Sequence, residues 1–121
     1  MDAEAVIKRL VQSTQEGRIE WKRHLASNAF TEGTDEIVET FYTTRHNGHR
    51  LRAYEARYRH YYDEDRYSWA SENRLETIDE SDSMLWRFPA SRWTGELLQA
   101  AVYQTANVDT MFKDLMGDEK E

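Results

Sequence analysis

The chain of 121 residues has the size of one ordinary domain, and we predict a single α+β domain over residues 1–121. It contains no cysteine, which excludes disulfide frameworks, cysteine nucleophiles and zinc–thiolate sites. The 16 Lys and Arg residues against 23 Asp and Glu residues give a formal net charge of −7, so the protein repels phosphate backbones unless its cations gather on one face.

The first predicted element is an amphipathic N-terminal helix that is followed by Gly17, a residue typical of helix ends. Its apolar stripe, at helical spacing, consists of Ala3, Ile7, Leu10, Val11 and Thr14. Residues 18–35 lack a clear period and end in a polar stretch typical of a loop. We expect Trp21 to anchor this connection, and the sequence leaves open whether its ring closes over the core or projects outward.

From Glu36 onward the period of the sequence changes to two, which is typical of β-strands. Asn47-Gly48 is the strongest turn signal, because both residues tolerate the positive φ angles of a two-residue type I′ turn. Such a turn fixes the register of the hairpin and places Phe41 opposite Tyr54.

Two further reversals continue the meander, at a two-residue turn over Glu64-Asp65 and at a loop over residues 79–82. The predicted strands span about 36–45, 50–62, 67–78 and 84–88. With these turns, the cross-strand row on the core side is Phe41, Tyr54, Leu75 and Trp86.

The last predicted element is a C-terminal helix or helix pair over about 92–116, after Pro89 has ended the fourth strand. Ser91 or Thr94 can cap its first turn, and Asn107 or Asp109 can break it into two helices. The predicted fold is therefore a four-stranded antiparallel meander with the N-terminal and C-terminal helices packed on one face.

The outward face of this sheet carries charges of both signs. In the predicted register Arg57 lies opposite Glu72 and Glu55 lies opposite Arg74, so cross-strand ion pairs on a solvated face explain most of them. A weaker hypothesis is binding of single-stranded nucleic acid. Its candidate residues are Arg50, Arg52, Arg59, Tyr61 and Arg87.

No motif in the sequence points to catalysis, a metal or a cofactor. His46 and His49 become cross-strand neighbours, but two imidazoles alone do not complete a metal site. The acidic clusters near residues 63–65 and 79–82 are typical of turns, and single scattered glycines form no phosphate-binding loop. We therefore expect a non-enzymatic protein and assign no catalytic, cofactor-binding or metal-binding residue.

The predicted core side carries more aromatic bulk than two helices need to cover. We interpret the protein as an interaction or regulatory module of a prokaryote or mobile element, which binds a protein partner or itself as a dimer. The alternative is a small-ligand pocket between sheet and helices. Its candidate lining is Tyr54, Tyr58, His60, Trp69 and Trp86.

We expect a cytoplasmic protein that does not associate with membranes. No apolar run approaches the roughly 20 residues that cross a bilayer, and the N-terminal segment lacks the basic and then apolar pattern of a secretory signal. Nucleic acid is not an expected partner, given the net charge of −7.

Overall fold

A computed structural model describes residues 2–117 and contains one antiparallel sheet with helices before and after it. The helices are α1 (Ala3–Gln15), a 3₁₀ helix (Asn28–Thr31), α2 (Arg92–Thr105) and α3 (Val108–Gly117). The strands, in sheet order, are β1 (Lys22–Leu25), β2 (Thr40–His46), β3 (His49–Tyr61), β4 (Tyr67–Ile78) and β5 (Met84–Arg87). The α+β class is confirmed, but the sheet has five strands rather than four. Within residues 2–117 no helix is long and apolar enough to cross a membrane.

The extra strand, β1, lies within residues 18–35, where the sequence shows no clear period. It has four residues, Lys-Arg-His-Leu, and is mostly exposed, so it shows no alternating pattern of apolar residues. Trp21, directly before it, is buried, and its Nε1 donates a hydrogen bond to the Thr14 hydroxyl at 3.0 Å. Trp21 therefore anchors the connection to α1, as expected, with its ring in the core.

The first hairpin has the predicted register. Asn47 and Gly48 adopt φ angles of 51° and 81°, and Phe41 pairs with Tyr54. The turn works because both positions need positive φ, which Asn and Gly tolerate best.

The second hairpin differs from the predicted register by one residue. The predicted turn at Glu64-Asp65 is wrong: β3 and β4 are joined by residues 62–66, and the Asp63 carboxylate accepts hydrogen bonds from the backbone N–H groups of Asp65 and Arg66, both at 3.0 Å. This Asx-type loop is longer than a two-residue turn. Tyr54 therefore lies opposite Arg74 instead of Leu75.

This shift separates the predicted row of core residues. Paired residues share a face, so Leu75 lies with Ala53 and Tyr42 under the helices, whereas Tyr54 and Phe41 point to the opposite face. Trp86 pairs with Thr77 rather than with Leu75, because the β4–β5 connection is also longer than predicted and includes a register shift. The main core consists of Ile7, Leu10, Val11, Ile19, Trp21, Tyr42, Leu51, Ala53, Leu75, Leu97 and Ala101.

The C-terminal segment is a helix pair. Ser91 caps α2 by accepting a hydrogen bond from the Trp93 N–H, and Asn107, with φ 53°, separates α2 from α3. Leu97 and Ala101 of α2 are buried with α1 against the sheet, but α3 has no buried residue and contacts the end of α2. The prediction that all helices pack on the sheet is therefore wrong for α3.

We predict that Trp21→Ala lowers the free energy of unfolding by about 3–5 kcal/mol, because the change leaves a cavity in the core and removes the hydrogen bond that the Thr14 hydroxyl accepts from Trp21. Urea denaturation measures this change. Leu25→Ala is the control, since Leu25 is 74% exposed, and it should cost no more than about 0.5 kcal/mol. Equal losses in both variants would contradict the packing described for Trp21.

Candidate interaction surface

The distal half of the β3–β4 hairpin extends beyond the hydrophobic core. We call residues 57–73 the arm; none of them is buried. Four large aromatic side chains of the arm are between 46% and 67% exposed, and they are Tyr61, Tyr62, Tyr67 and Trp69. Because an isolated two-stranded hairpin is only marginally stable in water, an arm with such exposed aromatics is a surface suited to a partner.

One face of the arm carries a compact set of aromatic rings around an arginine. Arg59 pairs with Trp69 across the strands, and Tyr61 pairs with Tyr67, so all of them share one face. The Arg59 guanidinium lies 5.0 Å from the centre of the Tyr67 ring and 5.5 Å from that of Trp69. We call these residues, Arg59, Tyr61, Tyr67 and Trp69, the arm cluster.

The arm cluster lies on the helix side of the sheet. Arg59 is six residues from Ala53 along β3, so both point to the face that α1 and α2 cover further along the hairpin. None of the ion pairs formed among residues 2–117 includes Arg59. The cluster is therefore a continuation of the helix-covered sheet face without a helix over it.

Helix α2 forms a wall beside this uncovered surface. At its start Gly95 lies against β4, where an added Cβ would sit 3.0 Å from the Asn73 side-chain nitrogen. At its end the Gln104 side chain accepts a hydrogen bond from the Trp21 N–H beside β1. Helix α2 thus crosses the sheet from β4 to β1, and the arm projects past it.

A cavity of about 220 Å³ lies where the wall meets the base of the arm. It is lined by Leu98 and Val102 of α2 and by Glu55 and Arg57 of β3, among others. Tyr, Trp and Arg side chains, as in the arm cluster, are the types that contribute most to protein–protein binding. A floor of aromatic rings beside an apolar helix wall can receive an amphipathic helix.

The opposite face of the sheet contains a buried carboxylate, Glu76, which is 1% exposed. It accepts hydrogen bonds from Arg52 Nη2, the Tyr54 hydroxyl and Arg87 Nε, each at 2.8 Å. Burial alone raises the pKa of Glu76, but the bonds from Arg52, Tyr54 and Arg87 outweigh it, so the pKa lies below its ordinary value of 4.5. Burial and the charge of Glu76 raise the pKa of Tyr54.

A second ion pair joins this face to the loop that precedes β2. Both guanidinium Nη atoms of Arg74 bind the two Glu36 carboxylate oxygens, with the Nη1–Oε1 distance at 2.7 Å. These bonds lower the pKa of Glu36 and raise that of Arg74. Phe30 of the same loop packs against Phe41 and over Tyr54. Every buried side-chain polar atom of residues 2–117 has a hydrogen-bond partner. This network therefore has a structural role, in which it connects the strands with the loop before β2.

The residues of the predicted ligand pocket lie on two faces of the sheet. Tyr54, Tyr58 and His60 are separated by even numbers of residues along β3, so they share the face of the Glu76 network. Trp69 and Trp86 lie on the helix side. The structure does not bring these side chains into one lining. A separate cavity of about 960 Å³ includes Trp86 and lies between the turns that join β2 to β3 and β4 to β5.

The residues of the predicted nucleic-acid face are likewise divided. Arg52 and Arg87 bind Glu76, and Arg50 binds the Asp82 carboxylate at 2.6 Å. The other two members, Arg59 and Tyr61, belong to the arm cluster on the opposite face.

The two histidines of the first turn are paired, as predicted. His46 lies opposite His49, and the His46 ring is 3.3 Å from the Asn47 side-chain nitrogen. Within the described part of the chain, no three His, Cys, Asp or Glu side chains are grouped so that they could hold a metal ion. The pair is a feature of the turn.

Sequence reasoning missed the Glu76 network and the place of Tyr67 beside Arg59. Both follow from the register of β3 and β4, and the signal that was available is the spacing of Asp63 and Arg66, since an Asp at the start of a loop favours an Asx turn. A five-residue loop at that point yields the observed pairing.

We predict that Glu76→Gln lowers the free energy of unfolding at neutral pH by about 3–5 kcal/mol, because it leaves the partly buried Arg52 without its counter-charge. Glu80→Gln is the matched control, since the Glu80–Arg45 pair is exposed and contributes little net free energy. Chemical denaturation of both variants measures the difference.

Comparison of the wild type with Glu76→Gln also tests the lowered pKa of Glu76. A lowered pKa in the folded state stabilises the protein above the ordinary value of 4.5, and this contribution is lost as the pH falls through the folded-state value. The stability difference between wild type and Glu76→Gln should thus stay constant from about pH 7 to about pH 5 and shrink below about pH 4. A difference that grows on acidification would contradict the network.

The chain was compared with protein-family models, with curated proteins and with solved structures. None of these comparisons finds a significant match.

Proposed function

We propose that this protein is a non-enzymatic interaction module that binds a polypeptide partner through the arm cluster and the adjoining side of α2. The single observation that supports the proposal is the arm itself, which extends 17 residues without a buried side chain and presents three aromatic rings around one arginine. The partner surface that fits is an amphipathic helix with carboxylates beside its apolar residues.

The chemistry of the arm cluster favours protein over nucleic acid. Base stacking would need exposed rings along a track of unpaired cations, and Arg50, Arg52 and Arg87 are all held by carboxylates. A protein helix needs one cation and a broad apolar area, which the cluster supplies. The proposal includes the cytoplasmic location and the prokaryotic or mobile-element origin expected from the sequence.

The test is a photo-crosslinking amino acid placed at position 69 and, as the matched control, at position 62. Trp69 belongs to the arm cluster, whereas Tyr62 lies in the exposed loop at the tip of the same arm. We expect position 69 to form covalent adducts with a defined helical segment of another polypeptide chain in extracts of the source cells. Position 62 should give far fewer.

Equal adducts at both positions, or none at position 69, would overturn the proposal. Purified protein is irradiated in parallel, so that adducts between two copies of this chain are recognised by their mass. Circular dichroism of both variants shows whether each retains the fold.

A second candidate function, binding of a small ligand, is favoured by the cavity of about 960 Å³ beside Trp86. Its volume falls within the usual range for ligand sites, roughly 300–1,000 Å³. Apolar groups from Leu85 and Trp86 meet polar groups from His49 and Arg50 there. Such a lining can hold a planar ring and hydrogen-bond its polar edge.

We predict that a ligand of this cavity raises the melting temperature of the wild type and quenches tryptophan fluorescence. Trp86→Phe should lose most of the quenching and keep the fold, since Trp86 lies on an exposed edge strand. Trp93→Phe is the control, because Trp93 lies on α2 outside the cavity lining. A metabolite library that moves neither signal would contradict this candidate.

A further inference from the structure

We propose that the partner of the arm cluster is helix α3 of a second copy of this chain, and that two copies exchange α3 reciprocally to form a symmetric homodimer. This inference rests on the proposed function and names its partner. It follows from two surfaces of the same chain that are both incomplete.

Helix α3 is an amphipathic helix without a surface to cover it. Its apolar residues, at helical spacing on one side, are Met111, Phe112, Leu115 and Met116. They are 44% to 65% exposed. A helix of 10 residues is marginal in water by its own hydrogen bonds, so α3 needs packing of this apolar side to persist.

In this fold α3 lies against α2 with its apolar side chains exposed, so it does not cover the arm of its own chain. Helix α2 runs from β4 at Gly95 to the segment before β1 at Gln104, so α3 starts on the β1 side of the sheet, whereas the arm extends from β3 and β4. The positive φ of Asn107 sets the turn between the helices, and the Tyr103 hydroxyl donates to the Asp109 carboxylate at 2.7 Å. A second copy carries no such restriction.

The charges of the two surfaces complement each other. The arm cluster has Arg59 as its cation, which no carboxylate of residues 2–117 engages within salt-bridge distance. Helix α3 carries Asp109 and Asp114 against the single cation Lys113. An acidic amphipathic helix over an arginine and three aromatic rings gains both apolar burial and an ion pair.

Symmetry doubles this contact and leaves neither surface open. Each copy offers one α3 and one arm cluster, so a two-fold axis generates two identical contacts and closes the assembly. With exposed apolar and aromatic side chains presenting roughly 100 Å² each, the two contacts together bury on the order of 1,400 Å², within the range of a standard specific interface.

The test uses two double variants of the full chain. The arm variant is Tyr67→Ser with Trp69→Ser, and the helix variant is Phe112→Ser with Leu115→Ser. The control variant is Leu25→Ser with Tyr62→Ser, whose side chains are at least as exposed and lie outside both surfaces. Sedimentation equilibrium measures the dimer dissociation constant of each.

We expect wild type and control to dimerise and each of the other variants to be at least about 100-fold weaker, because either change removes both contacts. An equimolar mixture of the arm and helix variants should recover heterodimers, since the intact α3 of one copy meets the intact arm of the other. Amides of residues 111–117 in the wild type should gain hydrogen-exchange protection with rising concentration.

The homodimer is overturned if the wild type stays monomeric at roughly 100 times the concentration used to crosslink the purified protein. It is also overturned if both variants leave the dimer intact, or if their mixture forms no heterodimer. The proposed function fails separately. Adducts at position 69 with a different protein would keep the interaction module while the homodimer is lost, whereas no adducts at all would end both.

Discussion

The pairing of β3 with β4 in one register is the constraint on which both faces of the sheet depend. The Asp63 carboxylate stabilises the loop between these strands by accepting hydrogen bonds from two backbone N–H groups. The strands then pair over their whole length. A one-residue slip would move Leu75 out of the core and bring Glu76 under the helices, away from the face on which Arg52 and Arg87 bind it.

This register places a charged network on one face of the sheet and the main apolar core on the other. On one face Glu76 and Arg74 join β3, β4, β5 and the loop before β2 through charged hydrogen bonds that leave no buried polar side-chain atom of residues 2–117 unpaired. Such a network is sensitive to the loss of one partner rather than a large net source of stability. On the other face apolar residues pack under α1 and α2 and provide most of the favourable burial.

The helix layer covers only part of its face, and association completes it in our proposal. The arm extends the sheet past α2, and α3 leaves the domain with its apolar side exposed. A protein that keeps both surfaces exposed in the monomer has an apolar patch that favours assembly, and its acidic net charge of −7 limits unspecific association.

The sequence by itself determined the class of the fold, the first hairpin and the presence of α1 and α2, because these depend on local chemistry. Asn47-Gly48 selects its turn through backbone φ, and the helical spacing of the apolar residues identifies α1 and α2. Only the tertiary structure decided the pairing of Tyr54 with Arg74, the burial of Glu76 and the grouping of Arg59 with Trp69. The physical reason is that side-chain period is two in a strand, so a single residue in one loop exchanges the faces of everything that follows.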